Sequence, residues 1–527
     1  MTTTCYAVFL PVEGADLFTV VLLPQKEGRF PVVLMRSPYV DEMETMEEQE
    51  IFRRTLDWLH VWPDNGYAVV WQHCRGRGKS TGDCIPFLYE REDGLALQEW
   101  VRRQPFYNGE LYLYGASYTA SVHYVTAPFA PDIKGAVLEI MDTDFYHGVY
   151  RNGVYKAGLH GLWYAGMYKN KSIRKKNFSE DSFRTLPLSE FPAIVFDEPG
   201  ENLQEIFCHP CKEDPFWNSN LGGQASREAV KTARIPILLV TGFYDIFVGG
   251  MFRMWRSMKP ETRESSALLV CPYDHPLCAE GQPVAFPNGT PREAFKEYAF
   301  QWIEHIRKGS HAPIPPGQVT YYRLFENAWR SDSFLPASQK RTLPLGKGTE
   351  SYVYNPYDPA RFNGGLSANF GGAAFQNPPG SRYDILTVYS EPFPEDQFIK
   401  GKMSARLQVC SDCDDTCFYI RVSLAKEEGD YGLRDDIRCI SDCNPFYCPG
   451  DWQTMDFSFD EHAFLIRKGE RIRVDISSSA FPFYVPHTNY KGLFSQQRVA
   501  RPARNSLCWD GCTLTLPLEG DRTAPLL

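Results

Sequence analysis

Nothing in this 527-residue chain approaches the ~20 consecutive apolar residues of a membrane-spanning helix. Long basic runs are also missing and the formal net charge is −10, so the electrostatic footprint of a nucleic-acid binder is absent. The N-terminus, Met1 to Pro11, has no basic segment, and its apolar run is too short for a secretory signal peptide. The expectation is a cytoplasmic protein with no membrane and no nucleic-acid partner. No internal repeat or low-complexity tract appears, which excludes solenoid and fibrous architectures.

Cysteine is present in an uninformative amount. Fifteen cysteines are too few for a disulfide scaffold of this size, and the odd count leaves at least one unpaired, which suits a reducing compartment. Two groups have metal-like spacing: Cys208-His-Pro-Cys211, and Cys410, Cys413 and Cys417, which Cys439, Cys443 and Cys448 would complete as a zinc site. The spacings after the first pair are irregular. The preferred reading is scattered thiols, with no metal and no cofactor.

What is present is a soluble globular composition, 43% hydrophobic and 23% charged, on a chain long enough for about two to four domains. Residues 17–23, 31–35 and 68–72 read as strands, and 42–60 and 89–103 as helices. An apolar strand then leads to Ser117, and 135–140 is another strand. This rhythm predicts an α/β fold with a mostly parallel sheet covered on both faces. It breaks between 144 and 232 and resumes with strands at 235–241 and 267–271 and a helix over 291–307. After residue 335 short strands dominate (351–354, 403–409, 417–425, 471–477, 513–516), as in an all-β jelly roll or sandwich. The expected organisation is a hydrolase-like core in two parts, 1–143 and 233–334, an inserted helical cap at 144–232, and a β-sandwich at 335–527.

The stretch Gly109-Glu-Leu-Tyr-Leu-Tyr-Gly-Ala-Ser-Tyr-Thr-Ala120 runs from strand through a glycine-flanked serine into a helix. Such a turn holds a serine hydroxyl exposed as a nucleophile, although Thr119 stands where the elbow pattern wants a second glycine. Asp245 follows one later strand and His275 another, completing the chain order Ser, Asp, His. His275 would serve as general base and Asp245 would fix its tautomer; the adjacent Asp274 is an awkward rival. The oxyanion would be met by the backbone N–H of Tyr118 and the phenol of Tyr39. Gly78-Lys79-Ser80 looks like the end of a phosphate-binding loop, but that motif needs glycine at 73, which is His73.

Together these segments resemble the CocE/NonD family of serine hydrolases, which takes in cocaine esterases, α-amino acid ester hydrolases and Xaa-Pro dipeptidyl peptidases. The likeness rests on Pro31-Val-Val-Leu-Met-Arg-Ser-Pro-Tyr39, the 72–82 loop with Arg75-Gly76 and Ser80, Tyr114-Gly-Ala-Ser-Tyr118, Gly242-Phe-Tyr-Asp245, Pro272-Tyr-Asp-His275 and residues 466–479. It implies an α/β-hydrolase core, a helical cap, and a jelly roll that walls the active-site entrance. The departures are Thr119-Ala120 and a histidine, His73, at or near the place of the usual loop aspartate, in a loop expected to support the nucleophile turn.

The expected activity is cleavage of an acyl ester or activated amide through Ser117, on a small-molecule or peptide-like acyl substrate, with homo-oligomer formation left open. The rival enzyme reading is an Xaa-Pro dipeptidyl aminopeptidase or α-amino acid ester hydrolase, with Glu139, Asp142 and Asp144 as candidate holders of a substrate amine. The early first strand leaves no room for the extra N-terminal domain of some Xaa-Pro dipeptidyl peptidases, which favours the esterase. A non-catalytic glycan- or peptide-binding protein is the third reading.

Overall fold

In the computed structural model, the described residues are 3–519 apart from 127–128, 168–178, 197–200, 220, 222, 224–226, 228–230, 281–283, 291 and 367–370. The first two-thirds of the chain build one sheet. Its strands are β1 (Thr4–Val12), β2 (Ala15–Leu23), β3 (Phe30–Ser37), β4 (Ala68–His73), β5 (Tyr107–Ala116), β6 (Ile133–Glu139), β7 (Ile237–Gly242), β8 (Ala267–Cys271), β9 (Val319–Arg323) and β10 (Ala328–Asp332). In space they run β1-β2-β4-β3-β5-β6-β7-β8-β9-β10. Pairing is parallel from β4 through β9 and antiparallel at the two ends. The central strands are buried along their length, as β3, β4, β7 and β8 are throughout, so they read as apolar runs rather than alternating ones.

The helices that return the chain between strands include α1 (Glu48–Leu59), α2 (Glu90–Arg102), α3 (Tyr118–Tyr124), and, beyond the insertion, α6 (Val248–Ser257) and α7 (Arg292–Lys308). The helix expected over 42–60 begins six residues later, after a short 3₁₀ turn at Asp41–Met43. The terminal strand β1 and the hairpin β9–β10 escaped the sequence reading. At β1 and β10, the two edges of the sheet, half-exposed side chains dilute the apolar signal, whereas β9 is buried but only five residues long.

The insertion carries α4 (Phe145–Val149), a two-residue hairpin (Tyr150–Arg151 with Val154–Tyr155), a π-type turn at Ala157–Gly161, and α5 (Leu162–Met167). Further short helical turns follow it. These pieces bury an aromatic cluster of their own, including Tyr146, Tyr150, Tyr155, Phe207 and Trp217, against Phe481 of the C-terminal domain. Short helices have little intrinsic stability, and this shared aromatic core holds them in place.

The C-terminal domain is a β-sandwich. A four-stranded sheet orders Leu386–Tyr389, Arg471–Ser477, Cys417–Lys426 and Gly429–Cys439, and an eight-stranded sheet contains the remaining strands. Cys417 and Cys439 face each other across neighbouring strands and are joined as a disulfide. The other thirteen cysteines are free, so the reading of unpaired thiols is corrected at this one pair. Register explains it: directly opposed cysteines on adjacent strands are brought together by pairing that sequence spacing does not reveal. The zinc arrangement does not assemble among the described residues. Cys417 and Cys439 bond to each other, with only His487 within metal-ligating distance of both. No helix among the described residues is long and apolar enough to cross a membrane.

Candidate active site

Ser117 sits at the junction of β5 and α3 with φ 56° and ψ −127°, a backbone conformation that a non-glycine residue adopts only under tertiary constraint. Its N–H donates to the Glu139 carbonyl on β6 across 2.8 Å. A Cβ on Gly115 would lie 2.1 Å from the Thr119 carbonyl oxygen, so the glycine two residues before the serine is obligatory. Thr119 has a local function. Its Oγ1 accepts from Ala116 N–H and donates to Ala116 C=O, each at 2.6 Å. The hydroxyl closes the elbow that a glycine would leave to the backbone alone.

Asp245 and His275 follow the neighbouring strands β7 and β8. Gly242 permits their close approach, since a Cβ there would lie 2.0 Å from the Tyr273 carbonyl oxygen. Asp245 is fully buried; its Oδ2 accepts from Thr241 Oγ1 at 2.6 Å and its Oδ1 lies 2.8 Å from His275 Nδ1. His275 Nε2 lies 3.0 Å from Ser117 Oγ. Asp245, not the adjacent Asp274, therefore takes the histidine's Nδ1. Phe247 packs edge-on to the imidazole at 5.4 Å and shields it on one side.

Tyr39 follows β3. It keeps 44% of its surface open and lines the cavity, yet its hydroxyl is enclosed by Trp163, Ser117 and the Tyr118 N–H. Burial pushes the phenol above its ordinary 10.0, outweighing the opposite pull of those three groups. Trp163 Nε1 donates to the Tyr39 oxygen at 3.2 Å. Tyr118 turns its side chain away, donating to Glu90 at 2.7 Å and accepting from Phe87 N–H at 2.9 Å, so its backbone amide is the part of it beside Ser117.

The 72–82 loop braces Tyr39, and its buried Cys74 packs against Tyr118 and Val122 just after the nucleophile. Arg77 is buried and donates to Pro38 C=O at 2.8 Å and Met167 C=O at 3.0 Å, while pairing with Asp41 at 2.5 Å. His73, in place of the usual loop aspartate, is fully buried and accepts from Lys79 N–H at 3.3 Å. Burial holds its imidazole neutral, pushed down to about 3. The ring thus serves the Lys79 amide as a neutral acceptor.

Ser117, His275 and Tyr39 open into a cavity of about 860 Å³ between core and cap. Its wall is largely aromatic and aliphatic: Phe87, Phe145, Leu159, Leu162, Trp163 and Phe247 among others. Glu139, Asp142 and Asp144 all line it as well. Two of these carboxylates meet cations of the protein itself. Asp142 pairs with Arg253 at 2.5 Å, and Asp144 pairs with Arg227 at 2.6 Å while capping α4 at Tyr146 N–H. Burial raises the Asp142 carboxyl despite Arg253.

No cavity-lining residue comes from the β-sandwich among the described residues, so the entrance role implied for that domain is not what this arrangement presents. The sandwich instead buttresses the cap. Arg151 reaches Asp436 at 2.6 Å and Asp460 at 2.9 Å, and Gly158 N–H donates to Phe483 C=O. Trp163, Arg77 and His160 were not singled out from the sequence. A tryptophan and a histidine in an aromatic-rich insertion, or one arginine of several in a loop, carry no spacing signal of their own.

The comparisons agree with this architecture. Residues 13–276 match the X-Pro dipeptidyl-peptidase (S15 family), and residues 311–505 match the X-Pro dipeptidyl-peptidase C-terminal non-catalytic domain. A cocaine esterase of Rhodococcus sp. (strain MB1 Bresler) is 24% identical over 570 aligned positions, covering 93% of each chain. An aminopeptidase from a marine sediment Thaumarchaeota archaeon superposes with a TM-score of 0.83 at 19% identity, covering 98% of this chain and 96% of that one. An α-amino acid ester hydrolase gives 0.80 at 19% identity, covering 98% and 97%. A CocE/NonD family hydrolase from Staphylococcus aureus gives 0.66 at 16% identity, covering 98% and 94%. The chain belongs to the X-Pro dipeptidyl-peptidase (S15) family and, with it, to the CocE/NonD serine hydrolases, and it is an enzyme of that class.

Proposed function

We propose that the protein is a serine esterase or acyl hydrolase that cleaves esters, or activated amides, of apolar acyl groups. The observation that carries this reading is the continuous line from Asp245 Oδ1 through His275 to Ser117 Oγ, at 2.8 and 3.0 Å. Asp245 accepts the Nδ1–H of His275, which leaves Nε2 free to take the serine proton as Oγ attacks the substrate carbonyl. The tetrahedral oxyanion is met by the Tyr118 N–H and the Tyr39 hydroxyl. Collapse expels the leaving group, which takes the proton from His275, and leaves an acyl group on Ser117. Water then attacks the acyl carbon with His275 again accepting the proton, and the second collapse breaks the acyl–serine bond as His275 returns that proton to Ser117 Oγ, releasing the acid and free serine.

The choice of ester over aminoacyl substrate is supported by the lining. An ammonium group needs a carboxylate with charge to spare, and Arg253 and Arg227 already neutralise Asp142 and Asp144. The aminopeptidase and α-amino acid ester hydrolase among the similar structures keep the rival alive, with Glu139 as its candidate anchor in the wall.

Short p-nitrophenyl esters test the primary reading. Turnover that survives Ser117→Ala would refute it, and a fluorophosphonate probe should label Ser117 alone. Comparing a free with an N-acetylated aminoacyl ester separates the rival, since an amine-reading site prefers the free amine.

A further inference from the structure

His160 stands in the cap wall of the cavity, on the π-type turn Ala157–Gly161. The turn is unusual in its hydrogen bonding. The Lys156 carbonyl is approached by the N–H groups of Leu159, His160 and Gly161, the last an i→i+5 contact, and such π-turns cluster at functional sites. Gly161 is required there because a Cβ would lie 2.4 Å from the Phe183 ring. The segment is anchored from the β-sandwich on both sides, by Gly158 N–H to Phe483 C=O and by Val485 N–H to Tyr155 C=O.

The imidazole is 3% exposed, and burial keeps it neutral, pushed down to about 3. Its Nδ1 lies 2.9 Å from the hydroxyl of Tyr155, a fully buried residue of the cap core. Tyr155 shows no other hydrogen-bond acceptor for its hydroxyl among the described residues, so it donates to Nδ1. The single ring proton is then assigned to Nε2. Nε2 is buried and has no hydrogen-bond partner among the described residues. His160 lines the cavity wall and its Nδ1 is engaged by Tyr155, which leaves Nε2 as the ring's unengaged nitrogen. Phe145 and Trp163 pack against His160 at 5.7 and 6.1 Å, so an acceptor reaching Nε2 must displace one of these rings slightly and would meet the donor in apolar surroundings. A buried donor without a partner is costly to keep, and a site built around one discriminates strongly for a ligand that supplies the acceptor.

We propose that His160 is a specificity-determining residue whose Nε2–H reads a hydrogen-bond acceptor, an ether, carbonyl or hydroxyl oxygen, carried on the otherwise apolar acyl substrate. The proposal rests on the acyl-hydrolase reading above. It adds that the preferred substrate is an oxygenated acyl group rather than a plain hydrocarbon one.

The test uses p-nitrophenyl octanoate and the analogues in which one chain methylene beyond C2 is replaced by oxygen, taken position by position. The ratio of kcat/KM for each oxa-ester to that for octanoate is compared between wild type and His160→Phe. Differences in intrinsic ester reactivity cancel in that comparison. For at least one oxygen position the ratio should fall about tenfold in His160→Phe and recover in part in His160→Gln, which restores an N–H donor. Ratios that are equal in all three proteins at every position would overturn the proposal, whatever happens to absolute rates.

A second readout does not depend on turnover. ¹⁵N-edited spectra of the histidine rings, with His160 assigned from the variant, should show Nε2 protonated and Nδ1 as acceptor. The Nε2–H resonance should move downfield when Ser117 carries an oxa-alkyl phosphonate and stay put with the all-carbon phosphonate. A proton on Nδ1, or the same shift with both phosphonates, refutes the role of His160. Failure of any phosphonate to label Ser117 would instead defeat the hydrolase reading, and the tautomer still decides for or against His160.

Discussion

The indole Nε1–H of Trp163 donates to the phenol oxygen of Tyr39 across 3.2 Å. One residue belongs to α5 of the cap and the other to the loop after β3, so the cap finishes a group that the hydrolase core begins. With its oxygen already accepting from the indole, the phenol's own proton is directed elsewhere, and the proposed mechanism uses it on the oxyanion. Trp163→Phe keeps most of the packing against Tyr118 and removes the donor. We expect kcat to fall about tenfold on p-nitrophenyl acetate with little change in KM, as for a transition-state contact.

Tyr39→Phe should cost more, about 10²–10³ in kcat, the usual loss when one oxyanion donor is removed. Tyrosine donates only while protonated. Because burial holds this phenol above 10.0, it remains a donor across the neutral and mildly alkaline range. The pH profile of kcat/KM should therefore keep its shape below pH 10 in Tyr39→Phe while its height drops. A wild-type alkaline limb below pH 10 that vanishes in the variant would contradict this.

Asp245→Asn should reduce kcat by about 10⁴ without unfolding the protein, because an amide in place of the carboxylate no longer fixes the histidine tautomer. Stopped assays and a thermal melt distinguish the two effects: activity goes, Tm stays within a few degrees.

Thr119→Gly restores the more usual elbow residue and removes both hydrogen bonds to Ala116. The expected result is a loss of about 1 kcal/mol in denaturant unfolding, with Ser117 still labelled by a fluorophosphonate. Gly115→Ala, by contrast, forces a Cβ against the Thr119 carbonyl and should yield no labelled, folded enzyme.

Arg151→Met leaves Asp436 and Asp460 buried without the cation they share, and such a loss costs about 3–5 kcal/mol. Burial alone would raise the Asp460 carboxyl, but Arg151, Lys402, Arg253 and Arg434 hold it well below its ordinary 3.8. A lowered carboxyl contributes stability above that ordinary value and loses it as pH falls through the folded value. Without Arg151 the carboxyl titrates higher, so acid relieves the variant first. The stability gap between wild type and Arg151→Met, measured by urea unfolding, should be widest near pH 7 and shrink towards pH 4.

Much of the site is local in origin and so was readable. A buried parallel strand must be apolar, a sharp turn into a helix must carry glycine, and the residue after a strand end falls at the sheet's carboxyl edge; these constraints mark Ser117, Asp245, His275 and Tyr39 one at a time. The amino-acid order therefore determined the α/β core, the inserted segment, the β-rich C-terminal part and the order of the three polar groups. The tertiary structure alone decided what crosses between segments. Strand register joined Cys417 to Cys439, and cap packing brought Trp163 to Tyr39 and His160 to the cavity. Arg253 and Arg227 met the carboxylates at 142 and 144 from far along the sequence, and Arg151 tied the cap to the sandwich instead of the sandwich walling the entrance. Contacts of that kind depend on how separate segments pack. No periodicity within either segment encodes them.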